Sequence, residues 1–379
     1  MVRKRRKLIV RDRRKTTLRI AIALVSLIAL IGVGVLVFFT ARSCGVKLTT
    51  RELGYNPSNL TCGTGDGLLT VRGGTLEFMS FKDEDQSFTK SLTGAAEPKG
   101  VAGTSGVKAV WSDTAVQVVD GDFDIEVEGV IRAVRCGSAH LAVCTKDPLG
   151  NEQISVYTSA GQLVKAFDFD KGRLVDFGFS EASGSTLWTM ELDTDSGSPR
   201  TTISTFDLSR MSSTGVITVS GQLVERIFFT DSSVFAVGTE SLIRFSASAN
   251  REIYRVRLYG YRVEDVSLSG ETPLLMLLPR GAEAVSEAGS IRLLSVSQKD
   301  VADEKAVTVI LPEGAVSSSL VGGSLAVTTA NGVRLYSAKG ELAESASTGA
   351  ASNVSSRKLD EHHILIERNG DLVLLTVGK

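Results

Sequence analysis

The sequence contains few of the residues from which catalytic and metal sites are usually built. Its 379 residues include only three histidines, four cysteines and two tryptophans. It has no nucleophile elbow, no glycine-rich loop followed by Lys-Ser/Thr, and no side chains grouped at metal-ligand spacing. We therefore predict no catalytic residue, no cofactor-binding residue and no metal ligand, and we expect the protein not to be an enzyme.

Proline is also scarce, with seven residues, whereas glycine occurs 37 times. Beyond residue 45, helical periodicity is almost absent, and short stretches alternate apolar and polar residues between turn residues. This pattern predicts an all-β fold made of many short strands. The clearest predicted strands are residues 153–158, 162–169, 233–238, 242–246, 324–329 and 332–337.

One long hydrophobic run is present. Residues 20–39 read IAIALVSLIALIGVGVLVFF and contain no charge, which is about the length that a helix needs to cross a bilayer. Residues 1–19 contain ten Lys and Arg against a single acid, so the amino end is predicted to lie in the cytoplasm. The predicted segments are a basic cytoplasmic tail (1–19), a transmembrane helix (20–41), a stalk with a candidate ring-closing strand (42–56) and an extracytoplasmic domain (57–379).

A cleaved signal peptide is the alternative interpretation of this run. The run exceeds the 7–15 apolar residues of a signal-peptide core, and Phe39-Thr40-Ala41 places an aromatic residue where cleavage needs a small one. Arg42 likewise disagrees with a lipoprotein signal ahead of Cys44. The sequence favours an uncleaved anchor, and hence a single-pass protein of the cell membrane.

The charge of the chain is divided between its two parts. Residues 1–19 have a net charge of +9, whereas the remaining 360 residues contain 32 Lys and Arg against 42 Asp and Glu, a net charge of −10. An acidic domain disfavours nucleic acid as a partner. The expected partners are the membrane and a protein or glycan of the cell envelope.

A pattern of about 35–50 residues recurs through the extracytoplasmic part. Its clearest copies contain an Ala-Val pair in one strand and an aromatic residue near the end of the next strand, and the others are weaker. Four-stranded units of this length, repeated radially, are typical of β-propeller blades. The clear copies are residues 130–172, 223–261 and 315–349, and the weaker ones are 57–95, 96–129, 173–222 and 262–314.

The last unit is incomplete, because residues 350–379 supply only three strands. Residues 46–53 alternate suitably and are predicted to be the missing outer strand of the last blade. Such pairing would leave no open edge in the ring. This arrangement gives eight blades, and seven is the alternative number.

The repeat pattern of residues 50–379 resembles the quinoprotein-like and WD-like propeller superfamily. The layout of basic tail, single span and extracellular propeller resembles a family of membrane-anchored proteins of Gram-positive bacteria whose function is unknown. Most WD-type blades contain Gly-His and Trp-Asp, whereas Trp111-Ser112-Asp113 is here an isolated near match. The stacking tryptophans and vicinal disulfide of quinone-dependent dehydrogenases are absent. The resemblance therefore implies the fold and not that activity.

The four cysteines form two pairs that are local in sequence. Cys136 and Cys144 flank a predicted turn and its second strand, which allows a cross-strand disulfide. Cys44 and Cys62 are candidates for tying the stalk to the first blade. Buried free thiols are the alternative for both pairs.

Two further groups resemble metal sites but fit poorly. His362 and His363 are neighbours in a predicted strand, so their side chains point to opposite faces and cannot readily chelate one ion. Asp193-Thr-Asp195-Ser-Gly197 begins like a calcium loop but has Ser204 where a bidentate Glu would close it. We predict one buried and one exposed histidine, and an acidic hairpin turn.

The sequence favours a binding or scaffolding propeller at the cell envelope. Residues 193–200 and 280–289 exceed what a minimal blade needs and are expected to form the recognition surface. The alternative is an extracytoplasmic hydrolase or lyase with its site in the central channel. A cluster of charged side chains at the channel mouth would favour the enzyme, and a lining of small residues or Ser and Thr would favour the binding protein.

Overall fold

The computed structural model describes residues 47–378, except residues 54–59, 96, 122, 182, 196, 271 and 297–304. The predicted tail and span therefore lie outside the described residues. Within the part described, no helix is long and apolar enough to cross a membrane. Eight antiparallel sheets of four strands each are present there. The predicted all-β fold is confirmed.

The first strands of neighbouring sheets contact one another, so they line the centre of a ring, and each sheet is one blade. The strands of blades 1–4, from the inner to the outer one, are β2 (Thr61–Gly63), β3 (Gly67–Arg72), β4 (Thr75–Ser80) and β5 (Phe88–Ser91); β6 (Gly100–Gly103), β7 (Lys108–Trp111), β8 (Ala115–Val118) and β9 (Phe123–Glu126); β10 (Val130–Cys136), β11 (His140–Lys146), β12 (Glu152–Thr158) and β13 (Leu163–Phe169); β14 (Leu174–Phe179), β15 (Thr186–Asp193), β16 (Arg200–Asp207) and β17 (Ser212–Ser220).

Blades 5–8 follow in the same order around the ring. Their strands are β18 (Val224–Thr230), β19 (Ser233–Gly238), β20 (Ser241–Ser246) and β21 (Glu252–Arg257); β22 (Tyr261–Ser267), β23 (Leu274–Pro279), β24 (Ser290–Ser295) and β25 (Lys305–Ile310); β26 (Ala315–Val321), β27 (Ser324–Thr329), β28 (Gly332–Tyr336) and β29 (Leu342–Ser347); β30 (Val354–Lys358), β31 (His363–Arg368), β32 (Asp371–Gly378) and β1 (Lys47–Glu52). The short helix α1 (Val285–Ala288) lies between β23 and β24.

The ring is closed by the amino-terminal strand. β1 pairs with β32, so it is the outer strand of blade 8. Beyond it, the Leu53 N–H donates to the Leu372 carbonyl at 2.9 Å, and Arg368 Nη2 lies 2.8 Å from Glu52 Oε1. The outer strand predicted in residues 46–53 is therefore present, and the ring has eight blades rather than seven.

Apolar side chains fill the spaces between neighbouring blades. Blades 4 and 5, for example, share a cluster that includes Met190, Ile203, Ile227 and Phe245. Because both faces of each sheet are covered by neighbours, central strands such as β19 are buried at every position. The Ala-Val pairs of the repeat lie in second strands, and Ala142, Ala236 and Ala326 are all buried.

Both tryptophans lie opposite glycines of inner strands. Gly100 pairs with Trp111 and Gly178 pairs with Trp188. A Cβ atom at Gly100 would lie 2.0 Å from the Trp111 ring, and one at Gly178 would lie 2.9 Å from the Trp188 ring. Trp111, the near match to a WD repeat, is thus a packing residue whose ring needs a glycine beside it.

Candidate functional site

The propeller has two faces, which differ in the loops that they present. The four strands of each blade are labelled a to d from the inner to the outer one. The a–b and c–d turns lie on one face, the ab face, because neighbouring strands are antiparallel. Loops between second and third strands and the connections between blades lie on the other, the bc face. The b–c loops have two residues in blades 1, 5, 7 and 8, but five in blade 3, six in blade 4 and ten in blade 6. The two segments singled out from the sequence, 193–200 and 280–289, therefore lie on the same face.

Arginine side chains hold the blade 6 loop in place. Arg280 forms two hydrogen bonds of 2.9 Å with the carboxylate of Glu225 in blade 5, and these bonds raise the pKa of the Arg280 guanidinium. Arg262 donates to the carbonyls of Ala282 and Glu283 in the same loop. The loop is therefore ordered by charge-assisted contacts, which lower the entropy that binding would remove.

The blade 4 loop is shaped in the same way. Arg200 Nη2 lies 3.0 Å from Asp193 Oδ2, and Arg173 Nη2 lies 2.8 Å from Asp195 Oδ2. The backbone N–H of Asp195 also donates to Asp193, which lowers the pKa of the Asp193 carboxyl. Both carboxylates of the suspected calcium loop are thus bound to arginines in an acidic hairpin turn. Among the described residues, no group of three or more His, Cys, Asp or Glu is arranged to hold a metal ion.

A groove of about 540 Å³ lies beside the b–c loop of blade 3. Its most deeply buried acid, Glu152, is 7% exposed and accepts a hydrogen bond of 2.6 Å from Arg132. The groove opens on the bc face and has a negative lining, which favours cationic groups. The acidic residues that line it are Glu128, Asp147, Glu152, Asp168 and Asp170.

A second cavity, of about 300 Å³, lies in the central channel. Glu181, Arg226, Asp265 and Glu361 line it, and they belong to blades 4, 5, 6 and 8, which meet only at the centre. Desolvation by the surrounding protein raises the pKa of Glu181, although its side chain is exposed to solvent. This is the charged cluster that the sequence analysis associates with an enzyme.

The cluster is also part of the scaffold of the ring. Lys358 Nζ lies 2.8 Å from Glu361 Oε1 and 3.5 Å from Asp265 Oδ1. Asp265 in turn accepts a hydrogen bond of 2.7 Å from the Leu320 N–H, which connects blades 6 and 7. Asp265 thus connects blade 6 to blades 7 and 8, and Glu361 accepts hydrogen bonds from Lys358 of its own blade and from Ser267 of blade 6.

Elsewhere the inner strands contain small and hydroxyl side chains. Ser317 of blade 7 and Ser356 of blade 8 form a hydrogen bond of 2.6 Å, and Thr328 lies 3.0 Å from Ser356. The channel therefore combines a charged region at blades 4, 5, 6 and 8 with a hydroxyl-rich junction between blades 7 and 8.

Cys136 and Cys144, the candidate cross-strand pair, are not joined by a disulfide. Cys136 lies opposite Leu141 and Cys144 lies opposite Ala133, so the two residues are three positions apart along the ladder. Cys62, Cys136 and Cys144 are free thiols. Burial raises the pKa of Cys62 to about 12 and that of Cys144 to about 11, and it also raises the pKa of Cys136, so thiolates are rare at neutral pH.

The second cysteine pair and the histidines do not form a common site. Cys44, the suggested partner of Cys62, lies outside the described residues. His362 is exposed, whereas His363 is half-buried and hydrogen-bonded to Asp360 at 2.9 Å. His140 begins β11, and burial lowers its pKa. None of the three histidines is among the residues that line the channel cavity.

The sequence analysis missed the residues of the channel cavity and of the blade 3 groove. Glu181, Asp265 and Glu361 are each ordinary turn or strand acids in the sequence. Only closure of the ring brings them together, because they come from three different blades. Glu128, Asp147 and Asp170 likewise meet only through the pairing of strands within blade 3.

Comparison with known proteins supports the fold. No protein-family model matches the chain, and no curated protein matches it. The Dos1 propeller matches with a TM-score of 0.54 at 11% identity, over 87% of this chain and 95% of that one. Sqt1 from Saccharomyces cerevisiae matches with a TM-score of 0.53 at 11% identity, over 88% and 99%. The computationally designed Ika8 protein matches with a TM-score of 0.52 at 9% identity, over 86% and 98%.

These similarities concern the fold alone, because the identities are so low. The chain is an eight-bladed β-propeller, a fold that it shares with these structural neighbours. The resemblance to membrane-anchored bacterial propellers stays a prediction.

Proposed function

We propose that this protein is a membrane-anchored, extracytoplasmic propeller that binds a protein or glycan of the cell envelope through its bc face. The observation that supports this proposal most strongly is the position of the two long loops. Residues 193–200 and 280–289 are ordered by arginine contacts on one face of the ring. An ordered loop surface on a rigid scaffold is suited to recognition.

The course of the chain supports this choice of face. β1 runs antiparallel to β32, and Leu53 bonds to Leu372 on the bc side, so β1 begins on the ab face. Five residues, 42–46, separate the predicted span from β1, and they extend at most about 18 Å. The predicted anchor therefore joins the propeller where β1 begins, on the ab face, and the loops of the bc face take no part in this connection.

The orientation is tested with external protease on intact cells or spheroplasts. Digestion should remove residues 50–379 and spare the cytoplasmic tail. Replacement of the ten basic residues of the tail by neutral ones should weaken or invert this orientation. Protection of the propeller until the membrane is lysed would contradict the proposal.

Binding is tested in the full-length protein by chemical crosslinking and capture from its own cells. Replacing residues 280–289 by a two-residue turn, as in blades 1, 5, 7 and 8, should abolish the captured complex. Single substitutions of His140 or His363 should leave it intact, because both residues begin second strands beside turns of the ab face. Unchanged capture by the loop-replaced protein would refute recognition by this loop.

The alternative function, an extracytoplasmic hydrolase or lyase, is favoured by the charged cavity in the channel. Desolvation raises the pKa of Glu181, which makes it the residue there best suited to donate or accept a proton. Turnover of a defined small substrate that is lost in a Glu181→Gln variant, but kept in the loop-replaced protein, would establish this alternative in place of the binding function.

A further inference from the structure

One blade exposes an edge unlike the others. Every outer strand presents backbone N–H and C=O groups on its outward side, where another extended chain can add. Seven of the eight outer strands contain charged residues, which hinder such addition: β1, β5, β9, β13, β21, β25 and β29. The exception is β17, with the sequence SSTGVITVS, which contains no charge and no proline and, at nine residues, is the longest of the eight.

The register of β17 shows which of its backbone groups point outward. The Gly221 N–H donates to the Pro199 carbonyl at 3.0 Å, so this pair is a hydrogen-bonded pair of the ladder. Hydrogen-bonded and non-bonded pairs alternate along an antiparallel ladder. The backbone groups of Ile217 and Val219 therefore face β16, whereas those of Val216, Thr218 and Ser220 face the open edge.

The side chains on this edge continue a groove lined by aromatic, hydroxyl and charged side chains, and the charged ones are Lys165, Asp168 and Glu191. Val216 pairs with Ser204, which pairs with Thr189, so all three side chains lie on the face of blade 4 that is turned toward blade 3. A groove of about 380 Å³ lies on that face, and Ser213 of β17 is part of its lining. Val216, with 55% of its surface exposed, is an apolar residue at this edge.

Aromatic rings form the floor of the groove. Phe167 of blade 3 and Phe206 of blade 4 meet edge to face, with their centroids 5.3 Å apart. Lys165 Nζ lies 4.6 Å from the Phe206 centroid, and Phe169 completes the aromatic lining. An apolar side chain of an added strand would thus meet an aromatic surface, and its backbone would meet unpaired donors and acceptors.

We propose that β17 is a docking edge at which an extended segment of a partner protein adds as a fifth strand of blade 4. The open N–H and C=O groups of Val216, Thr218 and Ser220 match those of an extended chain, which can pair with donors and acceptors at this spacing. The uncharged edge selects an uncharged segment, and the groove selects an aromatic or aliphatic residue at alternate positions. This site lies on the perimeter and is independent of recognition by the bc face.

Two substitutions block this edge without disturbing the blade. Val216→Pro removes an N–H that faces outward, so the ladder with β16 keeps its hydrogen bonds. Thr218→Lys places a charge on the exposed side of the same strand. Thr308→Lys is the matched control, because Thr308 is an exposed threonine of another outer strand, β25.

The test uses full-length protein in detergent micelles and a phage-displayed library of random peptides of about nine residues, the length of β17. Peptides selected on the native protein should alternate apolar residues and should slow hydrogen exchange at Val216, Thr218 and Ser220. Their affinity should fall by about tenfold or more in Val216→Pro and Thr218→Lys, and should be unchanged in Thr308→Lys.

Three outcomes would overturn the proposal. Selected peptides that bind Thr218→Lys as tightly as the native protein would place the docking site elsewhere. Failure to select any peptide that protects these amides would show that the edge does not accept a strand. Concentration-dependent dimerisation that Thr218→Lys abolishes would identify a second copy of this chain as the occupant in place of a partner protein. If Val216→Pro does not fold, Thr218→Lys still decides the matter, because its side chain is exposed.

Discussion

Lys108 Nζ lies 3.3 Å from Asp66 Oδ2 at a buried site between blades 1 and 2. In blade 2 the turn between the first and second strands is closed by the hydrogen bond from the Thr104 N–H to the Val107 carbonyl, and Lys108 is the next residue. At this position six other blades have a buried aliphatic residue: Leu68, Leu141, Leu187, Val234, Leu325 and Ile364. The Lys108 side chain is 5% exposed, has Asp120 as a second partner at 3.9 Å, and lies over the Phe78 ring.

We expect Lys108→Leu to leave the free energy of unfolding unchanged or to raise it. Leucine restores the residue type of the other blades, and the side chains of Asp66 and Asp120 are 35% and 41% exposed, so water can solvate both carboxylates. By contrast, Asp66→Ala should lower the free energy of unfolding by about 2 kcal/mol, because this substitution leaves the buried Lys108 ammonium with only the more distant Asp120. Urea unfolding of both variants measures the difference. An equal loss in both would show that the ion pair stabilises the propeller outright.

The contact between Gly100 and Trp111 predicts a large effect from a single methyl group. Gly100→Ala should lower the free energy of unfolding by about 1–3 kcal/mol, since the new Cβ would overlap the indole ring and push it from its site. Gly281→Ala is the control, because nothing lies within 4 Å of its Cβ position. The control should change stability by less than about 0.5 kcal/mol. Equal stabilities by thermal unfolding would contradict the packing described.

Asp360 makes the stability of blade 8 dependent on pH. Burial alone would raise its pKa, but hydrogen bonds from the His363 ring and from the backbone N–H groups of His362 and His363 outweigh burial and lower it. The stabilisation is therefore complete above the pKa of the unfolded state, near 3.9, and is lost as the pH falls through the lower folded value. Asp360→Asn should destabilise the protein at pH 7 and make little difference well below pH 3.

The measurement is chemical unfolding of the native protein and Asp360→Asn across that pH range. His362→Gln is the control, since the exposed His362 ring takes no part in the contact with Asp360. A destabilisation by Asp360→Asn that is the same at both ends of the range would assign the effect to shape rather than to charge.

Ring closure predicts a sharp dependence on where a soluble fragment begins. A fragment of residues 44–379 contains β1 and should unfold cooperatively. A fragment of residues 56–379 would leave the outer edge of β32 unpaired and would remove Leu53 from a cluster with Leu68 and Leu372. It should therefore aggregate or lose stability. Equal stability of the two fragments, by calorimetry and light scattering, would remove the role given to β1.

The architecture could be predicted from the sequence because the blades repeat. The alternation of apolar and polar residues depends on strand geometry alone, so the units at 130–172, 223–261 and 315–349 correspond to blades 3, 5 and 7. The incomplete last unit indicated closure by residues 46–53. Trp111 shows a limit of such patterns, because its role depends on a glycine in the neighbouring strand.

The cysteines and the channel cavity could not be predicted in the same way. Whether Cys136 faces Cys144 depends on the register of a hairpin, and a shift of a few residues separates the two sulfur atoms. The cavity of Glu181, Asp265 and Glu361 depends on contacts between blades that are distant in sequence. Burial of Lys108 likewise depends on two carboxylates that come from different blades.

The most direct test of the proposed function compares two exposed serines on opposite faces of the ring. Ser286 lies in α1 within the long bc loop of blade 6, and Ser232 lies in an ab turn of blade 5. A photocrosslinking amino acid is placed at each position in the full-length protein and activated in intact cells. We expect a defined crosslinked partner from position 286 and little or none from position 232. The same adduct in equal yield from both positions, or an adduct from position 232 alone, would contradict recognition through the bc face.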